Sequence, residues 1–227
     1  MDFEYYYNIV PGEAPSRNNL IYTSYISKDK KTFVQHYYND KVYHKDQNQV
    51  VNPELMQDKW NREICYLKQM SDWYPDLVPK IKDIDLINKK IYLEIDGVDF
   101  WQRSMNGDGY DSVVPDWREQ MYTIVRAHRE LGLHKYSMHP SSYFVVDGRL
   151  KSINYFFTYH KDEPEISIKD VESHIHENRQ KEMRQYLNIL GIKWDEPQPF
   201  KLLDQLCWES FRSNYPYDFI ETVKCIK

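Results

Sequence analysis

Residues Leu133–Phe156 read LHKYSMHPSSYFVVDGRLKSINYF, and this stretch decides the fold. Its first part, through Ser142, is a polar loop carrying His134, Ser137, His139 and Pro140. Its second part turns at Asp147-Gly148, a strong short-range hairpin signal flanked by β-branched and aromatic residues. Its last part, Ile153-Asn154-Tyr155-Phe156, leaves the hairpin with an amide set among large apolar side chains. Just before the stretch, Asp116 can cap a helix that runs to Leu131, with Trp117, Met121, Ile124, Val125, His128 and Leu131 as its stripe and Gly132 as its stop.

Upstream, residues 1 to about 97 read as strands around one helix. Tyr5–Val10, Leu20–Ser27 and Thr32–Tyr38 are rich in aromatic and β-branched residues, and Lys28-Asp29-Lys30-Lys31 is a polar turn between the last two. Asn52 is a helix cap and Pro53 suits the first helical position; Leu55, Trp60, Ile64 and Leu67 follow as an approximate stripe. Lys80–Leu86 and Lys90–Ile95 are two further strands joined near Asn88. Ser104–Asp111 (SMNGDGYD) is the most loop-like stretch. Downstream, Ile168–Leu190, Lys201–Ser213 and Tyr217–Ile226 read as helices, with Pro197 and Pro199 as breaks.

Composition bounds the function classes. The chain has 227 residues, enough for one large domain or two small lobes and for a core without metals or disulfides. Net charge is −5 and no basic run exceeds Lys28–Lys31, which argues against a nucleic-acid binder. No apolar run approaches the length of a membrane span, and the acidic first residues do not read as a signal peptide. Cys65, Cys207 and Cys225 lie far apart with no C-x-x-C spacing, which fits reduced thiols in a cytoplasmic protein. Twenty tyrosines against seven glycines describe a chain that packs with large amphipathic rings; a lineage bias explains this, and a sticky interaction surface is the sharper alternative.

The order strands, helix, two strands, linker, long helix, polar loop, hairpin resembles the protein-kinase-like fold, including its small-molecule kinase branch. Asn61–Leu67 followed by Leu77–Ile81 is similar to the αC helix leading into the next strand, with Glu63 as the αC acid. Ile91–Gly97, containing Glu94 and Asp96, is similar to the hinge that joins the lobes and holds the adenine. Ser137-Met138-His139-Pro140-Ser141-Ser142 resembles the D-x-H-P-x-N form of the catalytic loop, with the family's spacing from base to metal-binding Asn. The resemblance covers roughly residues 20–160, and no A-P-E-like end to an activation segment follows Phe156.

The resemblance implies an ATP site whose reactive groups are missing. The base position holds Ser137, or Tyr136 in a register built on His134; neither is a carboxylate. The two metal-binding positions hold Ser142 and Asn154, which bring no charge to a hard cation such as Mg²⁺. The β3 lysine position falls near His36, and the loop Pro11–Asn19 has one Gly and no G-x-G-x-x-G, leaving Arg17 as its only anion-reaching residue. His139 is expected to be structural, as in the related small-molecule kinases. His174 and His176 would diverge on a helix and are read as solvated. Asp162, Glu163 and Glu165 could bring a carboxylate near the cleft but read as an acidic loop. Tyr155-Phe156-Phe157 could fill the adjoining pocket, and the adenine slot with it.

The expectation is therefore an α+β, two-lobed, protein-kinase-like fold. Its N-terminal lobe (1–97) is an antiparallel sheet with one helix, and its C-terminal lobe (98–227) is mainly helical. The function expected is that of a pseudokinase, an inactive binding or regulatory module with an unidentified protein partner, no nucleic acid and no membrane. No catalytic residue or metal is expected. Ser137, His139, Ser142 and Asn154 are the degenerate positions; His36, Glu63, Glu94 and Asp96 are the nucleotide-cleft candidates. No cofactor is expected, with ATP binding possible without strong metal dependence. The alternatives are an atypical phosphotransferase or nucleotidyl transferase with a remodelled ATP site, drawing on Asp96, Asp162 or Glu163, and an unrelated α+β protein.

Overall fold

The computed structural model describes residues 2–6, 22–37, 53–105, 109–135, 140–156, 158–163, 166–167 and 197–198. It is a mixed α+β protein, and its largest sheet is antiparallel and five-stranded. The strands are β1 (Phe3–Tyr5), β2 (Tyr22–Ser27), β3 (Thr32–Tyr37), β4 (Ile81–Asp85) and β5 (Lys90–Glu94). Their order is β1-β2-β3-β5-β4. The chain divides into two compact units, residues 1–120 with 137–158, and residues 121–136 with 159–227.

Turn chemistry sets the sheet. Between β2 and β3, the Ser27 hydroxyl accepts the Thr32 N–H at 2.9 Å, and the Asp29 carboxylate accepts that of Lys31 at 3.1 Å. Between β4 and β5, Asp85 accepts the Ile87 and Asn88 N–H groups and the Asn88 side chain, at 3.1, 2.8 and 2.6 Å. This Asx-type turn places Leu86 and Ile87 in solvent. Period-two alternation then turns Phe33, Gln35 and Tyr37 to one face of β3.

Helix α1 (Pro53–Trp73) meets that face at Tyr37, through Trp60 and Glu63. Its stripe differs from the expected one. Lys59, Trp60, Glu63, Leu67 and Met70 are the buried positions among the described side chains, Ile64 is half-buried, and the Leu55 side chain lies outside the described residues. The three- and four-residue steps are those of one helical face, so a carboxylate occupies a place that hydrophobicity alone would give to Ile64. Cys65 is exposed as a free thiol. The expected cap Asn52 lies outside the described residues.

Ser104–Asp111 departs from its loop reading. Ser104 and Met105 end helix α2 (Phe100–Met105), and Tyr110 and Asp111 begin helix α3 (Tyr110–Val113). The Asp99 carboxylate starts α2 by accepting the Gln102 N–H at 3.0 Å, an N-cap that the glycines of the stretch obscure. Phe100, Tyr110 and Trp117 then pack ring on ring, with centroids 4.9–6.3 Å apart.

Helix α4 (Trp117–Glu130) matches its expected span. Gly132 follows at φ 72°, where an added Cβ would stand 2.8 Å from His160 Nε2. Three strands follow: β6 (Leu133–Lys135), then β7 (Tyr143–Val146) and β8 (Arg149–Ser152), which form the expected hairpin. Asp147 and Gly148 both take positive φ, 50° and 72°, as a type I′ turn requires. A strand at Thr158–His160 (β9) pairs with β6, and Ile166–Ser167 (β10) pairs with Pro197–Gln198 (β11), so Pro197 lies in a short strand where a break was expected. The helices expected at 168–190, 201–213 and 217–226 lie outside the described residues.

Candidate functional site

Where the hairpin exits, Asn154 sits at φ 66°, a left-handed conformation that Asn tolerates better than most residues. That turn aims its amide into the interior of the first compact unit. Its Oδ1 accepts the Tyr22 hydroxyl and Gln35 Nε2, both at 2.8 Å, and its Nδ2 donates to Ser142 Oγ at 2.9 Å. All four side chains are buried. Ser142 and Asn154, twelve residues apart and chosen from motif spacing, are thus brought into direct contact.

Glu63 anchors the other half of this cluster and is fully buried. Its Oε2 accepts the Tyr37 hydroxyl at 2.9 Å and the Phe156 N–H at 2.7 Å. The Tyr22 ring joins the halves, with centroids 5.5 Å from Tyr37 and 5.7 Å from Phe156. Burial first, and the Glu63 charge second, push the Tyr22 and Tyr37 phenols well above their ordinary range, so both stay neutral donors. Lys59, one turn before Glu63, is also buried, with its Nζ 3.6 Å from Asp58 Oδ2.

His36 does not join the cluster. It alternates to the face of β3 opposite Gln35 and Tyr37, half-buried, between Thr23 and Lys90 in the ladder. Burial first, then Lys90, holds its imidazole below the usual range, so it is neutral. Tyr37 reaches Glu63 and Gln35 reaches Asn154. Gln35 Oε1 remains buried with no donor, an unmade bond that costs about 1–3 kcal/mol.

Glu94 and Asp96 also stand apart from the cluster. Asp96 is partly exposed and pairs with Lys31 Nζ at 2.5 Å, a hydrogen bond that holds its carboxyl below the usual range. Glu94 is exposed and helps to line a cavity of about 360 Å³ with Asp76, Lys80, Arg149 and Lys151. The backbone of the hinge-like stretch is engaged too. The Ile95 and Gly97 N–H groups donate to the Lys31 and Lys30 carbonyls, at 3.2 and 2.9 Å.

Beside that stretch lies a second buried carboxylate. Asp99 is fully buried; its Oδ2 accepts the Tyr6 hydroxyl in a short hydrogen bond, and its own N–H donates back to that hydroxyl at 2.9 Å. Burial raises its carboxyl to about 6, against the opposing pull of the hydrogen bonds from Tyr6, Gln102 and Trp101. The Tyr6 ring packs edge-on to Phe33 at 5.5 Å and against Phe144 at 6.2 Å, while Phe33 and Phe144 are 5.0 Å apart. Tyr155 and Phe156 are buried as expected, but the rings beside Asp99 are Tyr6, Phe33 and Phe144. Phe157 lies outside the described residues.

The remaining candidates divide simply. Ser137, His139, Arg17, Glu165, His174 and His176 lie outside the described residues. Glu163 Oε1 accepts the His160 N–H at 2.8 Å, and Asp162 Oδ2 lies 3.4 Å from His160 Nδ1, so both belong to a local turn around His160. Among the described residues no group of three His, Cys, Asp or Glu side chains is placed to hold a metal ion, and no helix is long and apolar enough to cross a membrane.

Sequence reasoning missed Tyr6, Tyr22, Gln35, Tyr37 and Asp99. Three of these carried a local signal. Alternation along Thr32–Tyr37 puts Gln35 and Tyr37 on the face of Phe33. Asp99, three residues before Gln102, has the chemistry of a helix cap. The arrangement holds two buried carboxylates by phenol and backbone donors. No family model matches this chain, and no curated protein matches it.

Proposed function

We propose that the chain is a catalytically inactive, two-lobed protein of the kinase-like type, a pseudokinase that acts as a binding or regulatory module in the cytoplasm. The lobes would meet near Gly97–Phe100, and the partner would be a protein. One observation carries the reading. Ser142, Asn154 and Glu63, picked from three separate motifs, converge with Tyr22, Gln35 and Tyr37 in one buried cluster. Convergence of these positions supports the resemblance; their chemistry speaks against catalysis.

Phosphoryl transfer rests on positioning and on charges that stabilise the transferring group. The Asn154 and Ser142 pair contributes no charge, and each is already bonded to the other. Glu63 holds a phenol where the resemblance would place a lysine. Tyr6, Phe33 and Phe144 fill the space beside the hinge-like stretch, and Lys30 and Lys31 occupy two of its N–H groups.

Thermal unfolding with ATP, with and without Mg²⁺ and Mn²⁺, tests the reading. No change in Tm is expected under any of these conditions. A ligand at a hundred times its Kd stabilises a fold by about 2.7 kcal/mol, so real binding would raise Tm by several degrees. A metal-dependent rise would overturn the inactive reading in favour of an atypical transferase. A metal-independent rise would leave a nucleotide-binding pseudokinase.

A further inference from the structure

Strand β1 is held like a docked peptide. Among the described residues it lies at the edge of the sheet and pairs with β2 alone, with Phe3 opposite Ser27, Glu4 opposite Ile26 and Tyr5 opposite Tyr25. The Tyr6 N–H donates to the Ser24 carbonyl at 3.0 Å, and the Ser24 hydroxyl donates to the Tyr6 carbonyl at 2.8 Å. Side chains add a pattern to this ladder. Asp2 pairs with Lys28 at 3.1 Å, Phe3 packs on Tyr92 at 6.3 Å, and Glu4 is exposed. Tyr6 enters the slot between Phe33 and Phe144 and places its hydroxyl on Asp99.

We propose that the place filled by β1 is an exchangeable peptide groove, into which a partner protein docks an extended segment with an acid, an aromatic residue, two further residues and a tyrosine. Strand addition at a sheet edge supplies affinity through the backbone, and pockets for particular side chains supply specificity. The groove has both elements: a pairing edge along β2, which β1 occupies, and one deep slot with a buried carboxylate at its end. β1 is then an internal competitor. A partner binds only the fraction of molecules in which β1 has left, so its apparent affinity falls by that fraction. The inference rests on the reading of the protein as a binding module and names the kind of partner.

The test uses a labelled peptide of the sequence Asp2–Tyr6 and the full chain carrying Tyr6→Ala, which empties the slot. Fluorescence anisotropy is expected to show the peptide binding this variant about tenfold or more tightly than the unaltered chain, because the internal competitor is weakened. A peptide with phenylalanine at the Tyr6 position is expected to bind about tenfold more weakly, having no hydroxyl for Asp99. Equal binding to both chains, or equal binding of both peptides, overturns the groove. If Tyr6→Ala does not unfold cooperatively, Tyr6→Phe replaces it. The tyrosine peptide should then outcompete the altered strand, with about threefold or greater gain over the unaltered chain; no gain overturns the proposal. The peptide result is separable from the nucleotide result. A Tm rise with ATP and metal on the unaltered chain counts against inactivity alone, and absence of peptide binding counts against the groove alone.

Discussion

Two buried carboxylates in the same compact unit solve one problem in two ways. Glu63 and Asp99 are both fully buried, and each accepts a tyrosine hydroxyl and a backbone N–H. The donors to Glu63 come from a central strand, β3, and from the Asn154–Phe156 turn; the Tyr6 hydroxyl that reaches Asp99 comes from the residue just after β1, the outermost strand among the described residues. Removing the Glu63 partners requires taking β3 out of the middle of the sheet. Removing Tyr6 requires only the loss of a three-residue strand at the margin. The same hydrogen-bond chemistry therefore makes a lock at one place and a latch at the other, and the difference lies in topology. Local opening free energies follow the same logic, lowest where an element has the fewest buried neighbours.

The largest way to break this comparison is at the lock. Glu63→Ala leaves the Tyr37 hydroxyl and the Phe156 N–H buried without an acceptor. Bonds to a charged group are worth about 1.5–3 kcal/mol each, so urea denaturation should show a loss of about 3–6 kcal/mol. A loss below about 1 kcal/mol would mean that the cluster relaxes freely and is no lock. Hydrogen exchange at the β1–β2 ladder should respond far less than exchange at the β3 amides.

The latch should be visible through pH. The Asp99 carboxyl is raised from 3.8 to about 6 in the folded protein, by burial above all. Between those values the folded state binds a proton that the unfolded state does not. The Asp99 contribution to stability is therefore full below about pH 4 and is lost as pH rises through about 6, by about 3 kcal/mol in total. Among the described residues the titratable groups that act on Asp99 are Tyr6, Tyr22 and Tyr110, all held neutral by raised values, so the slope belongs to the carboxyl. Asp29, Asp85 and Asp96 have lowered values and oppose the slope equally in the variant. The stability difference between the unaltered chain and Asp99→Asn, measured in urea from pH 4 to 7, isolates the effect. A difference that does not vary with pH would remove Asp99 as a buried acid.

Legibility in the sequence divides along the same line. The β7–β8 hairpin was readable because Asp147-Gly148 is itself the turn, and α4 because its stripe, cap and Gly132 stop are all local. Ser142, Asn154 and Glu63, chosen by motif spacing, meet in the buried cluster, although packing and not spacing turns Glu63 inward. His36 was chosen over its neighbours on spacing, but a strand reverses its face at each step, and one residue either way reaches Gln35 or Tyr37. Tyr6 and Asp99 are 93 residues apart, and no period or turn signal links them. Glu63 sat one residue from the apolar Ile64, and only the packed helix shows which of the two faces inward. Local chemistry wrote the elements and part of the lock. The latch depends on contacts that exist only once the sheet has formed.

The smallest effect sharpens the account of the lock by separating its side-chain network from its backbone. Asn154 contributes an amide that binds Tyr22, Gln35 and Ser142, and it also holds φ at 66°. Asn154→Ala removes the amide and sets a Cβ with no local hydrogen-bonding ability in the left-handed region, which costs about 1–2 kcal/mol. Asn154→Gly removes the same amide without that penalty, because glycine enters the region freely. Both variants leave the Tyr22 hydroxyl and Gln35 Nε2 without their acceptor, so that loss cancels between them. Glycine should therefore be the more stable by about 1 kcal/mol, reduced slightly by its greater freedom in the unfolded chain. Equal stability would mean that the turn relaxes to negative φ once the amide is gone. The network would then be holding the backbone in place, and the lock would consist of the side chains alone.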